Sequence, residues 1–205
     1  LHITAIQQFA NVVTVAFTDK APANVQVGTS KVLMEKFRIY SNLNNIQWNQ
    51  MRIDYQGASI QDVTRVYLHN DTNVSGEFEE ISDLVIASSA FSGANVILTG
   101  LNRAIVPGTN ASGGSSFFVT ADVSSNAVPS DTFQFRWVAE NYFTVNPPNT
   151  VSSATFIGAT SVVLIKPPPV VLFTASQSSA PVAVTQGTKD VPMLKMKFWT
   201  DKPYN

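Results

Sequence analysis

The residues of this chain best suited to chemistry run from Tyr67 to Asp83, YLHNDTNVSGEFEEISD. Asp71, Asn73 and Ser75 alternate there, and Gly76 follows. That is the spacing of the first, third, fifth and sixth positions of a calcium loop. Ca²⁺ is a hard cation that takes six to eight oxygens, and alternate residues of a tight loop point inward. Glu77 would add its backbone carbonyl, and Glu79 would act directly or through water. The pattern departs at the twelfth position, where Ser82 replaces the bidentate Glu; Asp83 or Glu80 stands nearest to substitute. The expected ligand set is therefore Asp71, Asn73, Ser75, Glu77, Glu79 and Asp83. Asn, Asp, Ser and Gly are also what a polar hairpin turn needs, and both readings stay open. A strand before the loop and Phe78 after it suit a clipped hairpin rather than a helix-loop-helix.

Other chemistry finds less support. The histidines are His2 and His69. A Ser/His/Asp triad would need His69, which reads as an edge-strand residue, and no G-x-S-x-G elbow surrounds any serine. Asp54, Asp62, Asp122 and Asp131 read as surface or turn acids, with nothing to set two of them face to face as a glycosidase requires. Trp48, Trp137 and Trp199 would suit a sugar platform, but Trp48 and Trp137 sit in alternating strands and read as core. The Gly-rich run Gly108–Phe118 lacks the Lys and the helix of a phosphate loop. N-x-S/T sequons occur at Asn70, Asn73 and Asn110. The chain reads as non-enzymatic.

The elements that position these residues are strands. The 205 residues include no cysteine, which removes disulfides and thiolate sites. Charged residues are 13%, about half the usual share. A formal net charge of −1 gives no electrostatic footprint for nucleic acid. No run of about 20 apolar residues spans a membrane. Beginning at Leu1 without a leader pattern, the chain reads as a processed or excised piece, and its low charge and Thr/Ser/Val content as an exported β protein.

Short runs rich in Val, Ile, Phe, Tyr and Thr alternate with turn-formers. They predict strands over Val12–Phe17, Val32–Tyr40, Ile46–Tyr55, Val63–His69, Leu84–Ala87, Val96–Leu98, Ser116–Val123, Thr132–Ala139 and Phe143–Val145. Further strands are expected over Val162–Ile165, Val170–Ala175 and Met193–Trp199. A two-sheet sandwich accommodates this succession.

A shift of 159 residues lays Ala21–Asn42 on Ala180–Asp201 with eight identities and no gap: Ala21, Pro22, Val25, Gly28, Thr29, Val32, Met34 and Lys36 all recur. The expectation is a tandem repeat. A β-sandwich repeat covers 1–157, with its core about 12–151; a Pro-rich linker covers 158–169; 170–205 are the first strands of a second, incomplete repeat. The overlay matches Phe37 and Ile39 to Met196 and Phe198, which predicts a core face. It matches Lys36 and Arg38 to Lys195 and Lys197, which predicts a wet face. An unfinished sandwich would leave Met196 and Phe198 on an open edge, inviting pairing with another copy.

The succession VQVGTSKVLMEKFRIYS, IQWNQMRIDYQG, DVTRVYLHNDTNVSGEFEEISD and FFVTADVSSNAVPSDTFQF…NYFTV resembles the immunoglobulin-like β-sandwich repeats of very large secreted bacterial and archaeal surface proteins, including S-layer-type proteins. In such repeats a D-x-N-x-x-G-x-F turn follows a Val/Tyr-rich strand, and Asp71, Asn73, Gly76 and Phe78 match it. The resemblance implies an all-β, immunoglobulin-like sandwich at the cell surface or outside the cell, working as a structural part of a coat or fibre. Its partners would be neighbouring copies or repeats of itself. The alternative is an adhesin or carbohydrate-binding accessory module of a secreted protein, with cell-surface glycan as partner.

Overall fold

The structure is a computed structural model and describes residues 10–109, 112–152 and 158–201. His2 and Asn110 lie outside them. The chain divides into two units at Pro167/Pro168.

The first unit contains β1 (Val12–Asp19), β2 (Asn24–Gln26), β3 (Val32–Ser41), β4 (Ile46–Gly57), β5 (Val63–Asn70), β6 (Leu84–Ser89), β7 (Asn95–Ile105), β8 (Ser115–Val123), β9 (Thr132–Trp137), β10 (Phe143–Val145), β11 (Thr150–Val151), β12 (Gly158–Ala159) and β13 (Val163–Lys166). One sheet has the order β11-β1-β3-β8-β5-β6. The other runs β10-β4-β9-β13-β2, with β7 on β4 and β12 on β9. β1–β11 and β2–β13 are parallel, and the remaining pairs are antiparallel. The architecture is an all-β sandwich.

Strand periodicity explains the core. Alternate residues of β3 face the opposite sheet, and Phe37 and Ile39 are fully buried while Lys36 and Arg38 are half-exposed. Phe37 stacks on Phe117 of β8 at 5.5 Å and meets Trp48 of β4 edge-on at 5.9 Å. Trp48 in turn stacks on Phe143 at 5.4 Å, so the aromatics bridge both sheets. Each such side chain contributes roughly 1.5–3 kcal/mol by leaving water. Trp48 and Trp137 belong to this core and present no sugar platform.

The expected linker over 158–169 is shorter than the sequence reading placed it. Gly158 pairs with Trp137, Val163 with Phe133 and Ile165 with Val25. Val163 and Ile165 are buried, so apolar alternation continues past Val151 and ends only where the prolines begin. Gly158 has a steric reason: a Cβ there would lie 2.8 Å from the Phe17 ring.

The second unit holds one antiparallel hairpin, β14 (Leu172–Ser178) with β15 (Leu194–Thr200). Its seven Cα pairs, from Leu172↔Thr200 to Ser178↔Leu194, are the seven pairs of β1–β3, from Val13↔Ser41 to Asp19↔Glu35, each displaced by 159. The connection repeats too. Thr188 N and Oγ1 both donate to the Thr185 carbonyl, as Thr29 N and Oγ1 do to Gln26. Gly187 has φ 86° where Gly28 has 76°, and Asp190 has φ 57° where Lys31 has 51°. The open ends match: Val171 N donates to Asp201 Oδ1 at 3.0 Å, and Val12 N to Asn42 Oδ1 at 2.9 Å.

Candidate functional site

The stretch Asp71–Asp83 connects β5 to β6 across the outer face of the six-stranded sheet. β5 is an interior strand with β8 on one side and β6 on the other, so His69 is not at an edge. It is 1% exposed, with Nε2 at 2.9 Å from Thr120 Oγ1 and Nδ1 at 3.5 Å from the Asp83 carbonyl. Burial holds its pKa below the ordinary histidine value. No serine accompanies it in a triad-like contact among the described residues.

The fold brings Asp71, Asn73 and Ser75 together at one turn. Asp71 Oδ1 accepts from Ser75 N at 3.1 Å, and Oδ2 accepts from Gly76 N at 2.9 Å. Asn73 Oδ1 also accepts from Ser75 N, and its amide donates to the Glu79 carboxylate. The Glu77 carbonyl accepts from Ser75 Oγ at 3.0 Å. Asp83 Oδ2 accepts from Glu79 N at 2.7 Å, while its buried Oδ1 has no hydrogen-bond partner among the described residues. Positive φ at Val74 and Gly76 reverses the chain.

These carboxylates and carbonyls are turned onto backbone N–H groups and hydroxyls. Lys36 donates its ammonium to the Gly76 carbonyl, placing a protein cation at the turn. Among the described residues no group of three or more His, Cys, Asp or Glu side chains is placed to hold a metal ion. The donor set as arranged suits a hydrogen-bonded turn. Phe78 pins the far side of the loop, 4.9 Å edge-on from His69 and 5.7 Å from Phe118.

Beside the turn lies a cavity of about 450 Å³ lined by Lys36, Arg38, Asn70, Asp71, Ser115 and Ser116, among others. Arg38 donates to the Gly113 carbonyl. Gly114 is required next to it: its φ is +73°, and a Cβ would meet Ile39 O at 2.9 Å and Tyr40 Cβ at 2.8 Å. Lys36 and Arg38 thus fasten the 71–83 loop and the Gly113 loop onto one sheet face.

The carboxylates split by environment. Asp54 pairs with Arg52 at 2.8 Å and accepts from Tyr142 Oη. Asp122 accepts from Tyr67 Oη at 2.6 Å and from Lys31 N at 2.9 Å. Asp62 is no surface acid: it is 1% exposed, and burial, then the Asp131 charge, push its pKa up. Sequence reasoning missed Glu35. It is 1% exposed with Oε1 unpartnered among the described residues, and burial raises its pKa to about 8. The signal was present: Glu35 shares parity with Phe37 and Ile39, and the overlay places Leu194 opposite it.

Trp199 is 41% exposed, stacked on Phe173 at 5.6 Å with the Lys197 ammonium 5.2 Å from its ring centre. No helix of the described chain is long and apolar enough to cross a membrane. The chain matches no protein-family model and no curated protein.

Proposed function

We propose that this chain is a structural, non-catalytic segment of a tandem array of immunoglobulin-like sandwiches, working outside the cell in a surface layer or fibre whose partners are further copies or repeats of itself. One observation carries this reading: the hairpin β14–β15 has the strand register, turn hydrogen bonds and left-handed turn positions of β1–β3, at a displacement of 159. A repeated opening hairpin is what consecutive domains of one array would supply. The buried tryptophans and the inward-tied carboxylates of the 71–83 turn support a mechanical role over turnover.

Calcium enters this reading as a clip on Asp71–Asp83, where Asp83 Oδ1, without a hydrogen-bond partner among the described residues, offers an oxygen. Electron microscopy of the purified chain, with calcium and then with excess chelator, tests both parts. Sheets or filaments that dissolve on chelation support the coat and the clip. Filaments indifferent to chelator retain the coat and remove the clip, while isolated particles in both conditions count against assembly. The second reading, an adhesin or carbohydrate-binding module, is favoured by the exposed Phe173–Trp199 pair, because stacked aromatics are what sugar faces pack on. Glycan-array binding abolished by Trp199→Ala would support it.

A further inference from the structure

The hairpin β14–β15 exposes side chains that its counterpart buries. Directly opposed residues of an antiparallel pair share a face. One face of the hairpin therefore carries Leu172, Leu194, Met196 and Phe198, which are 53–62% exposed. Their counterparts Val13, Glu35, Phe37 and Ile39 are at most 1% exposed. In the first unit these positions face the other sheet, where Trp48 and Phe143 meet Phe37 edge-on, and the edge of β3 away from β1 is paired by β8, antiparallel, with Lys36 opposite Phe118, Phe37 opposite Phe117 and Ile39 opposite Ser115. On β15 that same edge carries no strand among the described residues.

We infer that β15 is a strand-accepting edge whose occupant is an antiparallel strand of the β8 pattern, a polar start followed by paired phenylalanines and alternating Val and small residues, docked with Met196 opposite the first phenylalanine. This deepens the tandem-module reading and rests on it. The contacts that hold β8 in place have equivalents. Phe37 stacks on Phe117, and Met196 would set its thioether against the same ring. The Lys36 ammonium lies 6.0 Å from the Phe118 ring centre, and Lys195 stands at the equivalent position. Main-chain pairing gives such strand addition its affinity, and the alternate side chains give it register.

A second copy of β15 is a poorer occupant. Lys195 and Lys197 lie on one face of LKMKFWT. Pairing two such strands antiparallel with their apolar faces matched brings these ammonium groups from both copies onto one face, where like charges directly opposed destabilise a sheet, and a one-residue slip sets them among Met196 and Phe198 instead. A β8-type strand presents no cation.

The test uses the whole chain and a synthetic peptide with the sequence of Ser115–Val123, SSFFVTADV. Trp48 and Trp137 are fully buried, so a fluorescence change on titration reports Trp199, and a Trp199→Phe variant verifies that assignment. The expected result is saturable binding at least roughly tenfold tighter than to a scrambled peptide. Backbone amides of 194–200 would gain protection from hydrogen exchange while β3 and β8 stay unchanged. Phe198→Asp should weaken binding by a similar factor and leave the first unit folded. Equal binding of the scrambled peptide, or protection appearing at β6 or β11 instead, overturns the inference. So does concentration-dependent self-association that hides 194–200 without peptide, because a second copy would then be the occupant. An absence of sheets or filaments by microscopy would defeat the array reading but would not change these peptide results, so the two failures are separable.

Discussion

Glu35 gives the sharpest test of how this sandwich is built. It sits on β3 where the register shifts between Leu33 and Glu35, so that adjacent Met34 and Glu35 are both buried. Its neighbours in the ladder are Asp19 on β1 and Val119 on β8. Burial is the main cause of its raised pKa; the Asp19 charge adds to it, and backbone hydrogen bonds at Thr18 and Lys36 oppose it. The carboxyl moves from 4.5 to about 8 on folding. Below pH 4.5 both folded and unfolded chains hold the proton, and the group costs nothing through ionisation. As pH rises, the unfolded chain releases its proton first, and stability falls until the folded carboxyl titrates.

Each pH unit in that window costs about 1.4 kcal/mol. With the pKa values above, the loss reaches roughly 3 kcal/mol at pH 7 and about 5 kcal/mol beyond pH 8. Glu35→Leu installs the residue found at the matching position, Leu194. Urea unfolding of both proteins from pH 4.5 to 8.5 should show the variant's advantage growing by about 3 kcal/mol between pH 4.5 and 7 and levelling above 8. Glu35→Gln, also uncharged, should show the same growth, which separates ionisation from packing. A stability difference constant across the window, or one that shrinks as pH rises, refutes the buried protonated carboxyl.

Four further outcomes follow from the loop region. His69 has a lowered folded pKa, so its contribution is intact above the ordinary value near 6.5 and is lost as pH falls through it; stability of wild type relative to His69→Gln should drop on acidification from pH 7 to 5. Asp71→Ala leaves the Ser75 and Gly76 N–H groups without the carboxylate they bond, which should cost about 1–3 kcal/mol and raise hydrogen exchange over 72–83. Phe78→Ala removes the loop's contacts with His69 and Phe118, for a loss of about 1–3 kcal/mol in urea unfolding; an unchanged midpoint would show that the loop is not clamped by this ring. Gly114→Ala places a Cβ against Ile39 O at positive φ, and should cost about 1–3 kcal/mol.

Legibility in the sequence followed the range of the interactions. Strands with one buried face wrote a two-residue period, so β3 and β5 were readable to within a residue or two. β7 was expected only over Val96–Leu98 but runs Asn95–Ile105. Positive φ at Gly100 and Asn102 breaks its alternation, and the pairing with β4 carries it through. β2, β11 and β12 have two or three residues each, too few for any period; their partners alone define them. The Asp71 turn was readable because its hydrogen bonds close within five residues. The Lys36 ammonium and the Phe118 ring come from β3 and β8, and no local spacing announces them.

The two hairpins share a register and differ in cover, so their differences show what each cover asks of the chain. At matched core-facing positions of the first strand, Val15 and Phe17 become Thr174 and Ser176. At matched positions of the second strand, Glu35, Phe37 and Ile39 become Leu194, Met196 and Phe198. The outer strand has lost apolar character at two positions and keeps it at Leu172, in place of Val13, while the second strand keeps it at Met196 and Phe198 and gains it at Leu194. A hairpin meant to stand in water would have lost it from both strands, because about 25 cal/mol per Å² favours hiding each exposed apolar surface. β15 has kept it with full alternation, Leu-x-Met-x-Phe, against Lys195 and Lys197 on the other face. That pattern is the one a strand carries when one of its faces is to be covered.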